Sequence, residues 1–214
     1  MKISRENLLL YAVTDRRWLN GDTLASQVEK ALKGGVTCIQ LREKELETDE
    51  FLAEALEISR LCRRYSVPFI IDDDPEIAVK CGADGIHVGQ NDMNARELRR
   101  LVGDDMIIGV SARTIDSALE AVQNGADYIG AGAVFSTSTK NDAKPLDRET
   151  LKKICSSVPI PVVAIGGITK DNILELSGSG ISGAAVVSAI FAQRNIEQAA
   201  SQMLELSRKM AGVQ

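Results

Sequence analysis

The sequence predicts an α/β fold, a single-domain (β/α)8 TIM barrel, from two observations. Eight apolar segments of strand length recur along the 214 residues, with amphipathic helical segments between them. Several helical segments end in a glycine turn that leads into the next apolar run, as expected where glycine stops a helix. Strands that are apolar on both faces and separated by helices are typical of a parallel sheet covered by helices. Eight such units favour closure into one barrel domain over residues 1–214.

The predicted elements alternate in order along the chain. The strands are residues 8–13, 38–41, 68–71, 85–88, 106–110, 128–135, 161–167 and 183–190. The clearest helices are residues 23–35, 49–66, 95–103, 117–125 and 147–158. An open doubly wound sheet is the alternative fold. It is disfavoured because no GxGxxG turn follows the first strand, which leads into TDRRWLN instead.

Composition limits the classes of function. The chain has 44% hydrophobic and 26% charged residues and a net charge of -5, with no Lys/Arg stripe of the kind that binds nucleic acid. The apolar run at residues 8–13 is too short for a signal peptide or a membrane span. The four cysteines form no CxxC pair, which argues against a zinc or redox motif. We therefore expect a reduced, cytoplasmic protein without membrane or nucleic-acid partners.

The end of the second predicted strand carries a group of polar side chains. Reactive groups of such barrels lie at the C-terminal ends of strands. In QLREK, residues 40–44, the alternation of a strand places Gln40, Arg42 and Lys44 on one side. An amide and two cations suit a polar ring with attached phosphates.

Two other interpretations of this segment stay open. In the first, the strand end is solvated and Glu43 and Glu45 pair with the neighbouring cations. In the second, Lys44 or Lys140 forms a Schiff base, although no nearby group is placed to lower a lysine pKa.

Aspartates follow the third and fourth predicted strands. Asp72, Asp73 and Asp74 come directly after PFII, and Asp92 lies at the end of the next strand. Adjacent strands can bring Asp73 and Asp92 to one hard cation, and Mg²⁺ commonly takes one or two carboxylates beside substrate phosphates. Such an ion would neutralise a diphosphate leaving group. The alternative is ordinary loop carboxylates, and Asp74 is expected to cap the helix that begins at Pro75.

His87 is the single histidine of the chain and lies inside the fourth predicted strand. We interpret it as a hydrogen-bonded residue of the barrel wall rather than a catalyst. No Ser/His/Asp nucleophilic set is visible in the sequence. The chemistry must therefore come from groups that bind and stabilise charge.

Two later segments are predicted to bind anions. Residues 136–140, STSTK, offer hydroxyls, backbone N–H groups and a cation, although an ordinary mobile loop is the alternative. Gly166 and Gly167 follow the seventh strand, and Val187 and Ser188 end the eighth. Loops after strands seven and eight form the recurring phosphate cup of this fold, and capping turns alone would explain only one of the two glycines. Two anion sites favour a transfer between two phosphorylated substrates, one of which carries a diphosphate that leaves.

Seven ordered motifs resemble the thiamine-phosphate synthase family. They are QLREK, the acidic end of FIIDDD, HVGQND, the VSA of the fifth strand, TSTK, AIGGI and VVSAI. The resemblance implies a transferase of thiamine biosynthesis that uses Mg²⁺. Such an enzyme joins 4-amino-2-methyl-5-(diphosphooxymethyl)pyrimidine to 5-(2-phosphoethyl)-4-methylthiazole, usually supplied as its carboxylate, giving thiamine phosphate and diphosphate. The implied mechanism is dissociative, with diphosphate leaving before the thiazole nitrogen captures the pyrimidinylmethyl cation.

The resemblance also implies roles for particular residues. Those that hold the pyrimidine diphosphate are Gln40, Arg42, Lys44, Ser111 and Lys140. Those that bind Mg²⁺ are Asp73 and Asp92. Those that hold the thiazole phosphate are Thr137, Ser138, Thr139, Gly167, Val187 and Ser188. Asp72 is also expected to bind substrate, although the family usually has Asn at this position, immediately before the metal-binding aspartate, so an amide donor toward the pyrimidine or diphosphate is replaced by a carboxylate.

Two alternatives of different kinds remain. A thiazole tautomerase shares the barrel and the phosphate cup, but the intact QLREK and TSTK segments and both metal-site aspartates argue against it. A non-catalytic protein that binds a phosphorylated ligand would leave the predicted magnesium ligands and Lys140 without a role. Both a monomer and a homo-oligomer are compatible with the sequence.

Overall fold

The chain forms a closed barrel of eight parallel strands, as the sequence predicts. A computed structural model describes residues 3–90, 92–137 and 145–213. The strands, β1 to β8 in order, are Leu10–Val13, Cys38–Leu41, Phe69–Asp72, Gly85–Val88, Ile107–Ala112, Tyr128–Gly132, Val162–Ile165 and Gly183–Val186. Each strand pairs with the next one in the sequence, and β8 pairs with β1 to close the barrel.

Helices cover the outside of the barrel. They are α1 to α8 in order: Leu24–Lys33, Thr48–Tyr65, Pro75–Cys81, Ala95–Val102, Ile115–Gln123, Arg148–Ser157, Ser188–Phe191 and Ile196–Ala211. Short 3-10 helices lie at Glu6–Leu8, Arg16–Trp18 and Ile173–Leu176. As expected, Asp74 caps α3, because its Oδ1 accepts a hydrogen bond of 2.9 Å from the Ile77 N–H. No helix in the described ranges has the length and apolar character needed to cross a membrane.

Several strand boundaries differ from the prediction: β3, β5 and β7 by one or two residues, and three others as follows. The first apolar run begins with a 3-10 helix, Glu6–Leu8, so β1 starts only at Leu10. The predicted eighth strand is too long, because Val187 leaves the extended conformation and Ser188 already begins α7. The sixth strand also ends early, at Gly132. The chain nevertheless keeps following β7, because the N–H groups of Val134 and Phe135 bond the carbonyls of Ile165 and Gly166 at 3.0 Å each.

Two tyrosines fill the inside of the barrel, although aromatic residues make up only 4% of the chain. Tyr11 and Tyr128 are 2% and 0% exposed and belong to an inner cluster that includes Ile70 and Ile107. Glycine makes room for them: a Cβ at Gly109 would lie 2.1 Å from the Tyr128 ring. Bulky phenol rings can thus occupy the inside of an eight-stranded barrel beside aliphatic side chains.

Candidate active site at the carboxyl ends of the strands

A cavity of about 490 Å³ opens at the carboxyl ends of the strands. Each predicted site residue that the structure describes lines this cavity. These residues are Gln40, Arg42, Lys44, Asp72, Asp73, Asp92, Ser111, Thr137, Gly167, Val187 and Ser188. The remaining predicted residues, Ser138, Thr139 and Lys140, lie outside the described residues. Parallel strands explain the grouping, since all their carboxyl ends meet at one end of a barrel.

The cations of the QLREK segment face the aspartates that follow β3. Lys44 Nζ lies 2.5 Å from Asp73 Oδ2 and 3.9 Å from Asp72 Oδ2. Arg42 Nε lies 3.6 Å from the same Asp72 oxygen. The Asp72 carboxylate therefore lies near two cations. Its negative charge, which an asparagine amide would lack, is compensated within the site.

Lys44 is held as a cation. Burial lowers its pKa, but the hydrogen bond and charge of Asp73, with the charge of Asp72, outweigh burial and raise the pKa above its usual value. A protonated amine is not a nucleophile, so this environment disfavours a Schiff base at Lys44. The other lysine considered for that role, Lys140, lies outside the described residues.

Glu43 supports the cationic segment from behind. Its side chain is 3% exposed, and Oε2 accepts a hydrogen bond of 2.8 Å from Arg16 Nε. Its Oε1 accepts the backbone N–H groups of Lys44 and Glu45 at 2.8 and 3.0 Å. Arg16 also bonds both carboxylate oxygens of Glu54 at 2.8 Å. Glu43 therefore pairs with Arg16 and not with the site cations, contrary to the solvated-strand interpretation.

Two carboxylates could hold a hard divalent cation. Asp73 has a φ of 63°, and its N–H donates to the His87 carbonyl at 2.9 Å, which anchors this turn to β4. Asp92 Oδ2 accepts the Gly89 N–H at 2.9 Å. Both side chains border the same cavity. Two carboxylates at an open mouth leave coordination positions for phosphate oxygens and water, which is how Mg²⁺ is commonly held.

His87 is part of the barrel wall, as expected, and both ring nitrogens are hydrogen-bonded. Nδ1 lies 3.0 Å from the Tyr128 hydroxyl, and Nε2 lies 2.9 Å from Ser111 Oγ. The Gln90 side chain donates to the Ser111 backbone carbonyl and so fixes the main chain at the end of β5. Ser111 is therefore oriented by two side chains from the neighbouring strand and its loop.

The glycine cup after β7 is built from backbone in conformations that favour glycine. Gly166 and Gly167 have φ values of 102° and 65°. A Cβ at Gly166 would lie 2.4 Å from the Ala133 Cβ, and one at Gly167 would lie 2.4 Å from the Ser136 carbonyl oxygen. The glycine pair is thus required for packing against the loop after β6, a reason that the sequence analysis did not identify. The same packing brings Thr137 to the cavity beside the cup.

Two kinds of site residue escaped the sequence analysis. Arg113 lines the cavity and lies two positions after Ser111. Because every second residue of a strand faces the same side, extending the alternation of β5 past its end could have revealed Arg113. Tyr11 and Tyr128 lie beneath the cavity floor, with hydroxyl oxygens 2.8 Å apart. In the sequence each tyrosine is only one residue of an apolar strand, because the contact between them joins residues that are 117 positions apart.

The fold and the cavity define a (β/α)8 barrel whose mouth is lined by cations, carboxylates and a pair of glycines. A family model described as thiamine monophosphate synthase matches residues 10–190. The chain is 48% identical over 203 residues to the thiamine-phosphate synthase of Ruminiclostridium cellulolyticum, covering 95% of this chain and 97% of that protein. It is 46% identical over 199 residues to the thiamine-phosphate synthase of Methanobrevibacter smithii, covering 93% and 95% of the two chains.

A solved structure agrees with the sequence comparisons. The thiamine phosphate pyrophosphorylase of Pyrococcus furiosus superposes with a TM-score of 0.89 at 38% identity, covering 96% of this chain and 98% of that one. The chain therefore belongs to the thiamine monophosphate synthase family.

Proposed function

We propose that the protein is a cytoplasmic enzyme that makes thiamine phosphate. It would join the pyrimidine diphosphate and the thiazole phosphate named above and release diphosphate. The observation that carries the proposal is a single cavity bordered by cations, carboxylates and the glycine cup. Family membership supports the same reaction. We also propose that residues 1–214 act as one catalytic domain.

The cationic side of the cavity would receive the pyrimidine diphosphate. Arg42 and Lys44 carry the positive charge that a departing diphosphate needs, and Gln40 and Ser111 offer neutral hydrogen bonds. Lys140 would add a further cation by the pattern of the family. Asp72, whose Oδ2 lies 3.6 Å from Arg42 Nε and 3.9 Å from Lys44 Nζ, would help to hold both cations at the cavity before substrate arrives.

Asp73 and Asp92 would hold Mg²⁺. When bound, this ion supplies positive charge to the leaving diphosphate. Asp73, whose Oδ2 lies 2.5 Å from Lys44 Nζ, would then contact both the metal and the lysine ammonium. The Lys44 ammonium would add positive charge for the phosphate oxygens beside the ion.

The opposite side would hold the thiazole phosphate. The hydroxyls of Thr137, Ser138 and Thr139 would contact the thiazole, and Gly167, Val187 and Ser188 would surround its phosphate. No side chain of the described site is placed as a nucleophile. The reaction would instead be dissociative: the C–O bond to diphosphate breaks, and the thiazole nitrogen supplies the electron pair for the new C–N bond. Catalysis then consists of alignment and charge stabilisation.

The direct test mixes the purified protein with both substrates and Mg²⁺ and measures thiamine phosphate by chromatography. We expect product and diphosphate in equal amounts, and loss of both when a chelator removes Mg²⁺. Folded protein that forms no product would reject the synthase proposal and leave a tautomerase or a non-catalytic binding protein. Running the assay with the thiazole and its carboxylate in parallel identifies which form is used.

A matched pair of variants tests the metal site. We expect Asp92→Asn to lower kcat at least about a hundredfold, with little change in thiazole phosphate binding, because a charged Mg²⁺ ligand is lost. Asp104→Asn is the control, since Asp104 is an exposed loop carboxylate. Equal kcat values for the two variants at limiting Mg²⁺ would remove Asp92 from the metal site.

A further inference from the structure

A chain of hydrogen bonds crosses the inside of the barrel beneath the cavity. Gln40 Nε2 donates to the Tyr11 hydroxyl at 3.0 Å, and the Tyr11 and Tyr128 hydroxyls lie 2.8 Å apart. The Tyr128 hydroxyl lies 3.0 Å from His87 Nδ1, and His87 Nε2 lies 2.9 Å from Ser111 Oγ. The chain therefore links two residues of the proposed pyrimidine diphosphate site, on β2 and β5, through three side chains.

The first bond gives this chain a direction. An amide nitrogen can only donate, so the Tyr11 hydroxyl accepts from Gln40 and keeps one proton to donate onward. Burial raises the pKa of both tyrosines well above the ordinary value, so each phenol retains its proton. In this direction the Tyr11 hydroxyl would donate to Tyr128, and the Tyr128 hydroxyl would donate to His87 Nδ1. A ring nitrogen that accepts carries no proton, which places the imidazole proton on Nε2.

The opposite direction is disfavoured at Tyr11. If Tyr128 donated to Tyr11, the Tyr11 hydroxyl would receive two donors, and its own proton would be left with the neighbouring Cys38 thiol. Sulfur is a weak acceptor, and a poorly paired hydroxyl at a residue that is 2% exposed is costly. One direction satisfies each of these buried hydroxyls, and the other does not.

We propose that His87 is a positioning residue, held by Tyr128 as the Nε2–H tautomer so that Ser111 becomes a hydrogen-bond donor toward the cavity. Because Ser111 Oγ accepts from Nε2–H, its own proton points away from the ring. An acceptor-rich diphosphate would meet that proton. The identity of this ligand rests on the proposed function, whereas the tautomer and its control by Tyr128 do not.

The other polar groups around the ring belong to the neighbouring strands. Asp72 on β3 is the register partner of His87, and the Asp73 N–H bonds the His87 carbonyl. Ser111 lies on β5 and Tyr128 lies on β6. Gly130, also on β6, packs closely against the imidazole, because a Cβ at this position would lie 3.0 Å from Cε1. The ring is thus confined sterically by β6 while its nitrogens are fixed by the two hydroxyls.

The first test measures the tautomer directly. His87 is the single histidine of the chain, so ¹⁵N correlation spectra of tag-free protein contain one imidazole and need no assignment by mutation. At about pH 8.5, roughly two units above the ordinary histidine pKa, we expect a protonated Nε2 and an unprotonated Nδ1. A protonated Nδ1, or a rapid mixture of both tautomers, would overturn the proposal without any assay of activity.

Variants test which neighbour controls the ring. Tyr128→Phe removes the donor to Nδ1, so we expect the tautomers to become mixed. Ser111→Ala leaves that donor in place, so the Nε2–H tautomer should persist. Tyr65→Phe is the matched control, because Tyr65 bonds Glu29 on the outside of the barrel and should leave the imidazole signals unchanged. A tautomer that changes in Ser111→Ala but not in Tyr128→Phe would contradict control by Tyr128.

Kinetic measurements test whether the His87 tautomer affects the reaction. We expect Tyr128→Phe to lower kcat about five- to tenfold, the effect of one misdirected hydrogen bond, with an unchanged KM for the thiazole phosphate. Tyr65→Phe should retain full activity. If the protein shows no synthase activity, binding of inorganic diphosphate with Mg²⁺ replaces kcat, and the proposed weakening by Tyr128→Phe is read from that affinity. Equal kcat or affinity in the two tyrosine variants would reject the positioning role even if the tautomer is as proposed.

Discussion

The two sides of the cavity are built from different chemical groups. On the side of β2 to β4, charged side chains are held in place by other charged side chains, as where Lys44 meets Asp72 and Asp73. On the side of β7 and β8, the cup residues 165–168 and 185–188 contain no charged side chain. There the backbone itself is shaped by Gly166 and Gly167 at positive φ.

This difference follows from what each ligand requires. A leaving diphosphate develops charge during the reaction, so strong cations near it lower the barrier. A phosphate that only anchors its substrate needs shape and N–H donors, which bind the ground state and the transition state alike. We therefore expect substitutions on the side of β2 to β4 to lower mainly kcat. Substitutions on the side of β7 and β8 should change mainly KM and the free energy of unfolding.

Removal of Lys44 should have the largest effect. We expect Lys44→Ala to lower kcat by about a hundredfold or more, since it removes a preorganised cation from the leaving group. It also leaves Asp73 without a partner at 2.5 Å. Lys80→Ala is the control, because Lys80 pairs with Glu76 on the exposed surface of α3. A kcat within threefold of the wild type, measured at saturating substrates, would contradict a role for this cation in leaving-group departure.

A methyl group at Gly167 should affect the other side of the cavity. We expect Gly167→Ala to lower the free energy of unfolding by about 3 kcal/mol, from backbone strain plus crowding. The crowding arises because its Cβ would lie 2.4 Å from the Ser136 carbonyl oxygen. The KM for thiazole phosphate should rise about tenfold, more than kcat falls.

The Gly178→Ala variant measures the cost of backbone strain in the absence of crowding. Gly178 has a similar φ of 74° with no atom within 4 Å of an added Cβ, so it carries the strain alone. We expect a loss of about 1 kcal/mol in urea unfolding and an unchanged KM. If both variants lost the same stability, crowding against the loop after β6 would not be what requires glycine at position 167.

Glu43→Gln tests how the cationic segment is supported. We expect about 2 kcal/mol lower unfolding free energy at pH 7, because a buried carboxylate loses its charged bonds to Arg16 and two backbone N–H groups. Burial raises the pKa of Glu43, but the hydrogen bonds from the Glu45 N–H and Arg16 outweigh burial and hold the pKa below its usual value. A lowered folded-state pKa stabilises the fold above the unfolded value and ceases to do so as pH falls through the folded value. The difference between wild type and variant should therefore shrink below about pH 4.5.

The exposed pair on α8 provides the comparison for Glu43. Glu205 and Lys209 are 2.6 Å apart at the surface, and we expect Glu205→Gln to leave the free energy of unfolding almost unchanged at any pH, because solvent screens an exposed pair. Should Glu43→Gln cost no more than Glu205→Gln, Glu43 would not be a support for Lys44.

Local patterns were sufficient to predict the barrel and most of the polar side chains that line its mouth, Arg113 being an exception. Apolar periodicity identified the eight strands, and alternation placed Gln40, Arg42 and Lys44 on one side. These inferences succeed because strand ends at one end of a barrel converge whatever the details of packing. Asp74 could be predicted as a cap because capping depends on a few adjacent residues.

Contacts between distant strands could not be predicted in this way. The pairing of Glu43 with Arg16 and the chain from Tyr11 to Ser111 depend on which residues face one another across the barrel. Nothing in a single strand distinguishes a tyrosine that packs from one that also relays a hydrogen bond. The need for Gly167 likewise arises from a second loop, after β6, that the local sequence does not contain.

The smallest expected effect is a difference between the two sides of the cavity in how their KM values depend on salt. Increasing KCl from about 50 to about 500 mM shortens the Debye length from roughly 14 to 4 Å, which screens partly exposed charges such as Lys44. We expect the KM for the pyrimidine diphosphate to rise several-fold, because its side of the cavity attracts it through full charges. The KM for the thiazole phosphate should change less than about twofold, since N–H donors of the cup act at contact distance and are screened less.

Choline chloride in place of KCl controls for specific effects of potassium, and free Mg²⁺ is held constant throughout. Equal salt dependence of the two KM values would mean that cations also govern the second side, and the contrast between a charged side and a backbone side would fail.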